Sequence, residues 1–275
     1  MDAPERRAAV ALLFDQLAPG YDRGGVPWFG PIGARLVELT APRPGGRALD
    51  VGAGRGAATF PLVDAVGPTG HVTAVDLSPA MAMHLRSEAE LRGASLDVVV
   101  GEASPDTVPA GTLDALTASL VLFFDPEPAE TLTTWVSLLR PGGRIGLSTF
   151  GPTDPAWTAA EAVLMAYAPQ QLLDARTSGR VGPFATTDSM ASLLESCGAT
   201  DVDSHDEPLE VTLPDAEAWR AWTMTLGLRQ LWAAVPDGEL SRAMTGIATA
   251  LERNRGDDDQ LHLTQQVRYT TGTRP

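Results

Sequence analysis

Asp50, Gly52, Gly54 and Gly56 stand in one run, Arg47-Ala48-Leu49-Asp50-Val51-Gly52-Ala53-Gly54-Arg55-Gly56-Ala57-Ala58-Thr59, where a short apolar strand runs into a glycine turn and then a helix. Glycines at this spacing let the chain turn tightly and bring its amide groups close to a ligand at a helix N-terminus. Gly52, Gly54 and Ala57 also fit the G-x-G-x-x-G/A pattern, which carries meaning only with a strand before it, a helix after it and an acid about 20 residues further on. All three conditions hold. Gly70-His71-Val72-Thr73-Ala74-Val75-Asp76 reads as a second, β-branched strand, with Asp76 at its C-terminal end where a carboxylate can accept ribose hydroxyls. An adenosine-bearing cofactor follows from these residues.

Asp50 selects among such cofactors. A carboxylate ahead of the first glycine, at the mouth of strand one, suits a cationic or amino-acid-bearing ligand and would repel a pyrophosphate. The D-x-G-x-G-x-G run at 48–58 and Ala74-Val75-Asp76-Leu77-Ser78-Pro79-Ala80-Met81 resemble the class I S-adenosylmethionine (SAM) dependent methyltransferases. Gly101-Glu102-Ala103 is similar to that family's Gly-Asp-Ala element, with Glu in place of the commoner Asp. Leu138-Leu139-Arg140-Pro141-Gly142-Gly143 looks like its L-x-P-G-G turn before strand five. Phe14 to Ala18 with Tyr21-Asp22 resembles the N-terminal lid of the small-molecule enzymes of the ubiquinone and menaquinone biosynthesis type. The resemblance implies SAM as cofactor, held by Asp50, Gly52, Ala53, Gly54, Asp76, Leu77, Met81, Glu102, Ala103, Ser119 and Tyr21. It places Phe14, Trp28 and Phe150 in the lid and substrate pocket. Packing of those aromatics against the sheet stays open as the alternative.

The chain has 275 residues and a formal net charge of −15. That charge argues against a nucleic-acid partner, since phosphates are repelled without a concentrated basic patch. One cysteine, Cys197, excludes an intramolecular disulfide framework and fits a reducing compartment. With neither a signal peptide nor a transmembrane segment evident, the expectation is a cytoplasmic protein with no membrane partner. Its partner is then a small-molecule substrate, with a homodimer left open. High Ala, Gly, Pro and Arg usage suggests a GC-rich bacterial genome, in which such enzymes often act on secondary metabolites.

In chain order, a leading helix over residues 5–18 stops at Pro19-Gly20, and a second spans about Ile32 to Thr40. Helices follow near 57–66 and, capped by Ser78-Pro79, over 79–92. Strands are expected at Leu96 to Val100, from Leu113 and through Ile145 to Phe150, with a helix started by Asp125-Pro126-Glu127-Pro128 and running through Leu139 between the last two. Beyond 151 come helices over Pro155 to Tyr167, Pro169 to Ala175 and Thr186 to Glu195, and a strand over Asp201 to Leu213. A mainly helical stretch, Pro214 to Arg255, then leads to a last alternating strand over Leu261 to Thr270. The fold class is α/β: a seven-stranded, mostly parallel Rossmann-like methyltransferase sheet with an antiparallel C-terminal hairpin and helical cap insertions. Its expected divisions are an N-terminal helical lid (1–40), a SAM-binding core (41–150), a helical cap segment (151–200) and a C-terminal strand pair (201–275) carrying a cap insertion at 214–260.

Methyl transfer asks the protein to align an acceptor and exclude water, with a base needed only for a hydroxyl or an acidic carbon. His262 opens the last strand and should lie at the mouth beside Phe150, which makes it the general-base candidate. H-E-x-x-H, C-x-x-C, G-x-S-x-G and phosphate-loop patterns are all missing from the sequence, and no metal site is expected. The leading function is methylation of a small, largely apolar or aromatic molecule. A cyclase or binding scaffold on the same fold is the first alternative, and an NAD-dependent oxidoreductase the second.

Overall fold

Strand β1 (Arg47–Val51) is buried along all but its first residue, because parallel neighbours flank it on both edges and helices cover both faces. The structure is a computed structural model that describes residues 3–170, 172 and 180–275. The remaining strands are β2 (His71–Asp76), β3 (Asp97–Val100), β4 (Leu113–Ser119), β5 (Leu139–Thr153), β6 (Thr200–Leu213) and β7 (Leu261–Thr273). They form a seven-stranded sheet in the order β3-β2-β1-β4-β5-β7-β6. Strands β1 to β5 pair in parallel, while β7 runs antiparallel between β5 and β6. The chain order reverses between β1 and β4, and their adjacent C-terminal ends open the crevice where such sheets bind ligands.

The helices are α1 (Ala3–Leu17), α2 (Phe29–Thr40), α3 (Thr59–Val66), α4 (Pro79–Arg92), α5 (Pro128–Leu138), α6 (Pro155–Met165), α7 (Thr187–Ser196), α8 (Ala216–Thr223), α9 (Arg229–Ala233) and α10 (Leu240–Leu251). Local chemistry sets their ends. Ser78 accepts the Met81 amide at the start of α4, Pro79 takes the first turn, and Gly93 closes the helix at φ 62°. Helix α3 begins at Thr59, later than its sequence suggests, because the glycine turn persists through Gly56 at φ 95°. The hairpin strands outrun expectation too, with β7 continuing to Thr273 against β5 and β6. Of the helix expected over Pro169 to Ala175, residues 171 and 173–175 lie outside the described residues. Among the described residues no helix is long and apolar enough to cross a membrane.

One core cluster runs from α2 through the sheet into the later helices, with Trp219 and Trp222 of α8 buried alongside Ile32, Leu36 and Leu116. Across the hairpin, Arg268 is only 3% exposed. Its Nε and Nη2 donate to the two Asp206 carboxylate oxygens at 2.8 and 2.9 Å, and its Nη1 donates to the Phe184 carbonyl at 2.8 Å. Arg268 is the buried partner, and removing the half-buried Asp206 strands its guanidinium. Asp206→Ala should therefore destabilise the fold by about 3 kcal/mol, read as a lower urea midpoint with an unchanged m-value.

Candidate active site

Two cavities meet at the C-terminal ends of β1, β2 and β4, the larger about 430 Å³ and the smaller about 290 Å³. Tyr21, Gly52, Gly54 and Ser119 line both, so they mark the junction. The larger cavity has Asp76, Leu77, Met81, Glu102 and Ala103 along one side, and α1 supplies Arg7, Val10, Ala11 and Phe14 to its wall. The smaller follows the glycine turn, from Asp50 and Ala53 to Ala58.

The turn has its shape for steric reasons. Gly52 sits at φ 62° and Gly54 at φ 53°, where side chains are strained. A Cβ on Gly52 would come 2.4 Å from Val121 Cγ2, whereas one on Gly54 would meet nothing nearer than the Gly52 carbonyl oxygen at 4.0 Å. Gly54 thus presents bare backbone to the cleft. Its amide donates to Asp76 Oδ2 at 2.8 Å, and the Ser78 amide donates to Asp76 Oδ1 at 2.8 Å. One carboxylate thereby ties the turn to the start of α4. Burial pushes the Asp76 carboxyl above its usual range, and the two amides pull it back.

Asp50 lies deeper than the sequence suggests. It is 1% exposed, with Oδ2 accepting from Thr59 Oγ1 at 2.6 Å and Oδ1 from Thr117 Oγ1 at 2.8 Å. Burial pushes its carboxyl up to about 6, the two hydroxyls oppose that, and nearby Asp76 reinforces it. Ser119, at the end of β4, places its hydroxyl 3.1 Å from Ser148 Oγ. The next residue, Leu120, takes φ 58°, and its amide donates to the Ser148 carbonyl at 3.0 Å. Strained backbone of this kind concentrates at functional sites.

Helix α1 is fastened over the larger cavity by polar contacts that sequence reading missed. Asp15 Oδ1 accepts from Ser78 Oγ at 2.5 Å and from the Ala80 amide at 3.0 Å, adding a second acceptor at the N-terminus of α4. Arg7 Nε lies 3.4 Å from Glu102 and its Nη2 3.9 Å from Asp125. Arg55 donates to the Ala18 carbonyl at 3.2 Å. Tyr21 stacks on Phe29 with centroids 4.7 Å apart and meets Phe14 edge-on at 5.9 Å. Burial raises its phenol, so the hydroxyl stays neutral. The spacing of Arg7, Val10, Ala11 and Phe14 on one helical face was the signal available for the wall.

Three expected site residues are not brought to the cleft. His262 lies beyond the last β5–β7 pair, Thr153 with Gln265, because the hairpin outruns β5. Its ring is 45% exposed, with Nε2 3.0 Å from Asp258 Oδ1, and it lines neither cavity. Trp28 is 3% exposed and packs between Phe150, Trp157 and Trp222, with centroids 6.1, 5.6 and 5.2 Å away. Phe150 belongs to that same stack, and only Phe14 of the expected pocket aromatics reaches the cavity wall. Among the described residues no cluster of three or more His, Cys, Asp and Glu side chains is arranged to hold a metal ion.

Residues 48–143 match the methyltransferase domain family model. Nocamycin O-methyltransferase of Saccharothrix syringae is 36% identical over 95% of this chain and 97% of its own. Aklanonic acid methyltransferase DauC of Streptomyces sp. (strain C5) is 38% identical over 51% of this chain and 64% of its own. Among solved structures, phosphoethanolamine N-methyltransferase 2 of Haemonchus contortus, bound to S-adenosylhomocysteine (SAH), superposes with a TM-score of 0.56 at 13% identity. That alignment covers 88% of this chain and 52% of the other, and it shows a shared fold.

Asp76→Asn replaces an acceptor oxygen with a donor opposite the Gly54 or Ser78 amide. SAH affinity should fall about tenfold or more, about 1.4 kcal/mol, in calorimetric titration. Unchanged affinity would leave Asp76 a brace for the turn and nothing more.

Proposed function

The chain belongs to the class I SAM-dependent methyltransferases, and from that premise we propose that it methylates an oxygen of a small, largely apolar or aromatic molecule in bacterial secondary metabolism. The observation that carries this reading is the likeness to nocamycin O-methyltransferase along almost the whole of both chains. The apolar wall of the larger cavity, formed by Phe14, Leu120, Leu122 and Phe124, supports it.

The donor set fits the cofactor. Glu102 and Ala103 suit an adenine edge, Asp76 suits ribose hydroxyls, and Asp50 beneath the glycine turn suits an amino-acid end carrying positive charge. Tyr21, Gly52, Gly54 and Ser119, at the junction, are then the residues nearest the reacting centre. Bound SAM supplies an electrophilic methyl group on a sulfonium. The chain orients cofactor and acceptor and keeps water out. The described titratable side chains on the cavity walls are carboxylates, arginines and Tyr21, with no imidazole, amine or thiol. Such a wall suits an acceptor oxygen acidic enough to ionise near neutral pH without a strong protein base.

We assign residues 1–40 to a lid, 41–150 to the cofactor core, and the segments 151–200 and 214–260 to a cap. Asp15 fastens the lid, so Asp15→Ala should speed SAH dissociation several-fold in stopped-flow fluorescence while leaving the core folded. An unchanged rate would place the exchange route elsewhere.

The activity test is incubation with SAM and a panel of carboxylic, enolic and phenolic acceptors, reading SAH and methylated product by mass spectrometry. Methylation of an acidic oxygen in at least one acceptor is expected. Methyl transfer confined to amines or carbons would overturn the oxygen assignment, and SAM binding without transfer to any acceptor would point to another reaction on this fold, such as cyclisation.

A further inference from the structure

The threonines around Asp50 are buried in places where an apolar residue would pack as well. Thr117 is 0% exposed in the middle of β4, flanked by Ala115, Leu116 and Ala118, each also 0% exposed. Thr59 is 0% exposed at the first residue of α3, between Ala58 and Phe60. A hydroxyl buried in such surroundings is costly unless it is bonded. Each hydroxyl has one proton, and each gives it to Asp50. The bonds come from two different elements and reach different carboxylate oxygens, so the side chain is fixed in rotation as well as in position. Thr117 stands in direct register with Asp50 across the β1–β4 pair, which brings both side chains to the same face of the sheet.

A hydroxyl donor bonded to a carboxyl group favours its anionic form, and burial opposes it. The other charged and titratable groups lining the smaller cavity are Arg55 of the glycine turn, Arg92 of α4, and Tyr21 and Asp22 of the loop before α2, and Asp76 of β2 lines the adjoining larger cavity. Asp76 disfavours the Asp50 anion. The two threonines are the groups in direct hydrogen-bond contact that favour it.

We propose that Thr59 and Thr117 are positioning residues whose hydroxyls hold Asp50 as an oriented anion beneath the glycine turn, and so set the lowest pH at which the cationic cofactor is retained. This rests on the cofactor assignment above. Neither threonine is asked to touch the cofactor or the acceptor. Their action is on Asp50 alone, and through it on the positive charge of the ligand's amino-acid end.

The sign follows from linkage. A cation is held by the Asp50 anion, so affinity is full above the carboxyl's pKa and falls about tenfold per pH unit below it. Deleting a hydroxyl donor raises that pKa and moves the fall to higher pH.

The test is calorimetric titration with SAH, which carries the same amino-acid ammonium as SAM, from about pH 5 to about pH 8.5. Wild-type protein is compared with Thr59→Val, Thr117→Val, their serine counterparts and Asp50→Asn. Each valine variant should bind within a few-fold of wild type at the alkaline end. The onset of weakening should move up by about one pH unit, giving a loss of about threefold near pH 6.5 that approaches about tenfold at the acid end. Serine should restore the wild-type profile, and Asp50→Asn should bind weakly with little dependence on pH. Valine variants that lose affinity by the same factor at every pH, or that keep the wild-type onset, would overturn the proposal and leave the threonines as packing. Wild-type protein that binds no SAH at any pH would instead overturn the cofactor assignment, and the proposal with it.

Discussion

A carboxylate at the end of an interior strand constrains everything around it. Asp50 sits where β1 leaves the core, 1% exposed, and a charge so buried is costly unless it is hydrogen-bonded. The chain answers with a hydroxyl from the first turn of α3 and another from the adjacent strand. Those bonds fix the start of α3 relative to the sheet, and the path between Asp50 and Thr59 must then be a tight loop. Gly52, Gly54 and Gly56 form that loop at positive φ, with Gly52 so close to Val121 that no side chain fits. Gly54 brings no side chain to the cleft, so a cofactor can approach its backbone closely while its amide stays bonded to Asp76.

A second carboxylate extends the same logic outward. Asp76 gathers the Gly54 and Ser78 amides, and Ser78 in turn both caps α4 and donates to Asp15 of α1. Helix α1 is therefore fastened to the start of α4, beside the larger cavity. Helix α1 at the larger cavity and the glycine turn are joined by one hydrogen-bonded chain running from Asp15 through Ser78 and Asp76 to Gly54. Farther along the lid, Arg7 reaches Glu102 and Asp125 on the opposite wall.

Much of this could be read in the sequence, since the signals were local. The glycine turn, the acid after β2, the Ser78-Pro79 start of α4 and the alternation in β6 and β7 each depend on residues within a few positions of one another. SAM dependence and a mostly parallel sheet with an antiparallel C-terminal hairpin follow from that set. Long-range packing was hidden. Trp28 lies in a run of Gly and Pro that reads as a pocket-covering loop, but its neighbours are Trp157 and Trp222, far along the chain, and together they bury it. His262 was placed at the mouth on the assumption that β5 and β7 end together. The hairpin overshoots, and the ring pairs with Asp258 instead. Thr59 and Thr117 gave no sign of function, because a threonine in a strand or at a helix start is ordinary until its partner is seen.

The central claim is that one elongated cofactor spans both cavities, with its reacting centre at the junction of Tyr21, Gly52, Gly54 and Ser119. A crystal structure of the SAH complex tests it most directly. The account predicts adenine beside Glu102 and Ala103, ribose hydroxyls on Asp76, the amino-acid end above Asp50, and the sulfur at the junction. SAH bound outside the two cavities, or lying in them with its ends exchanged, would contradict it.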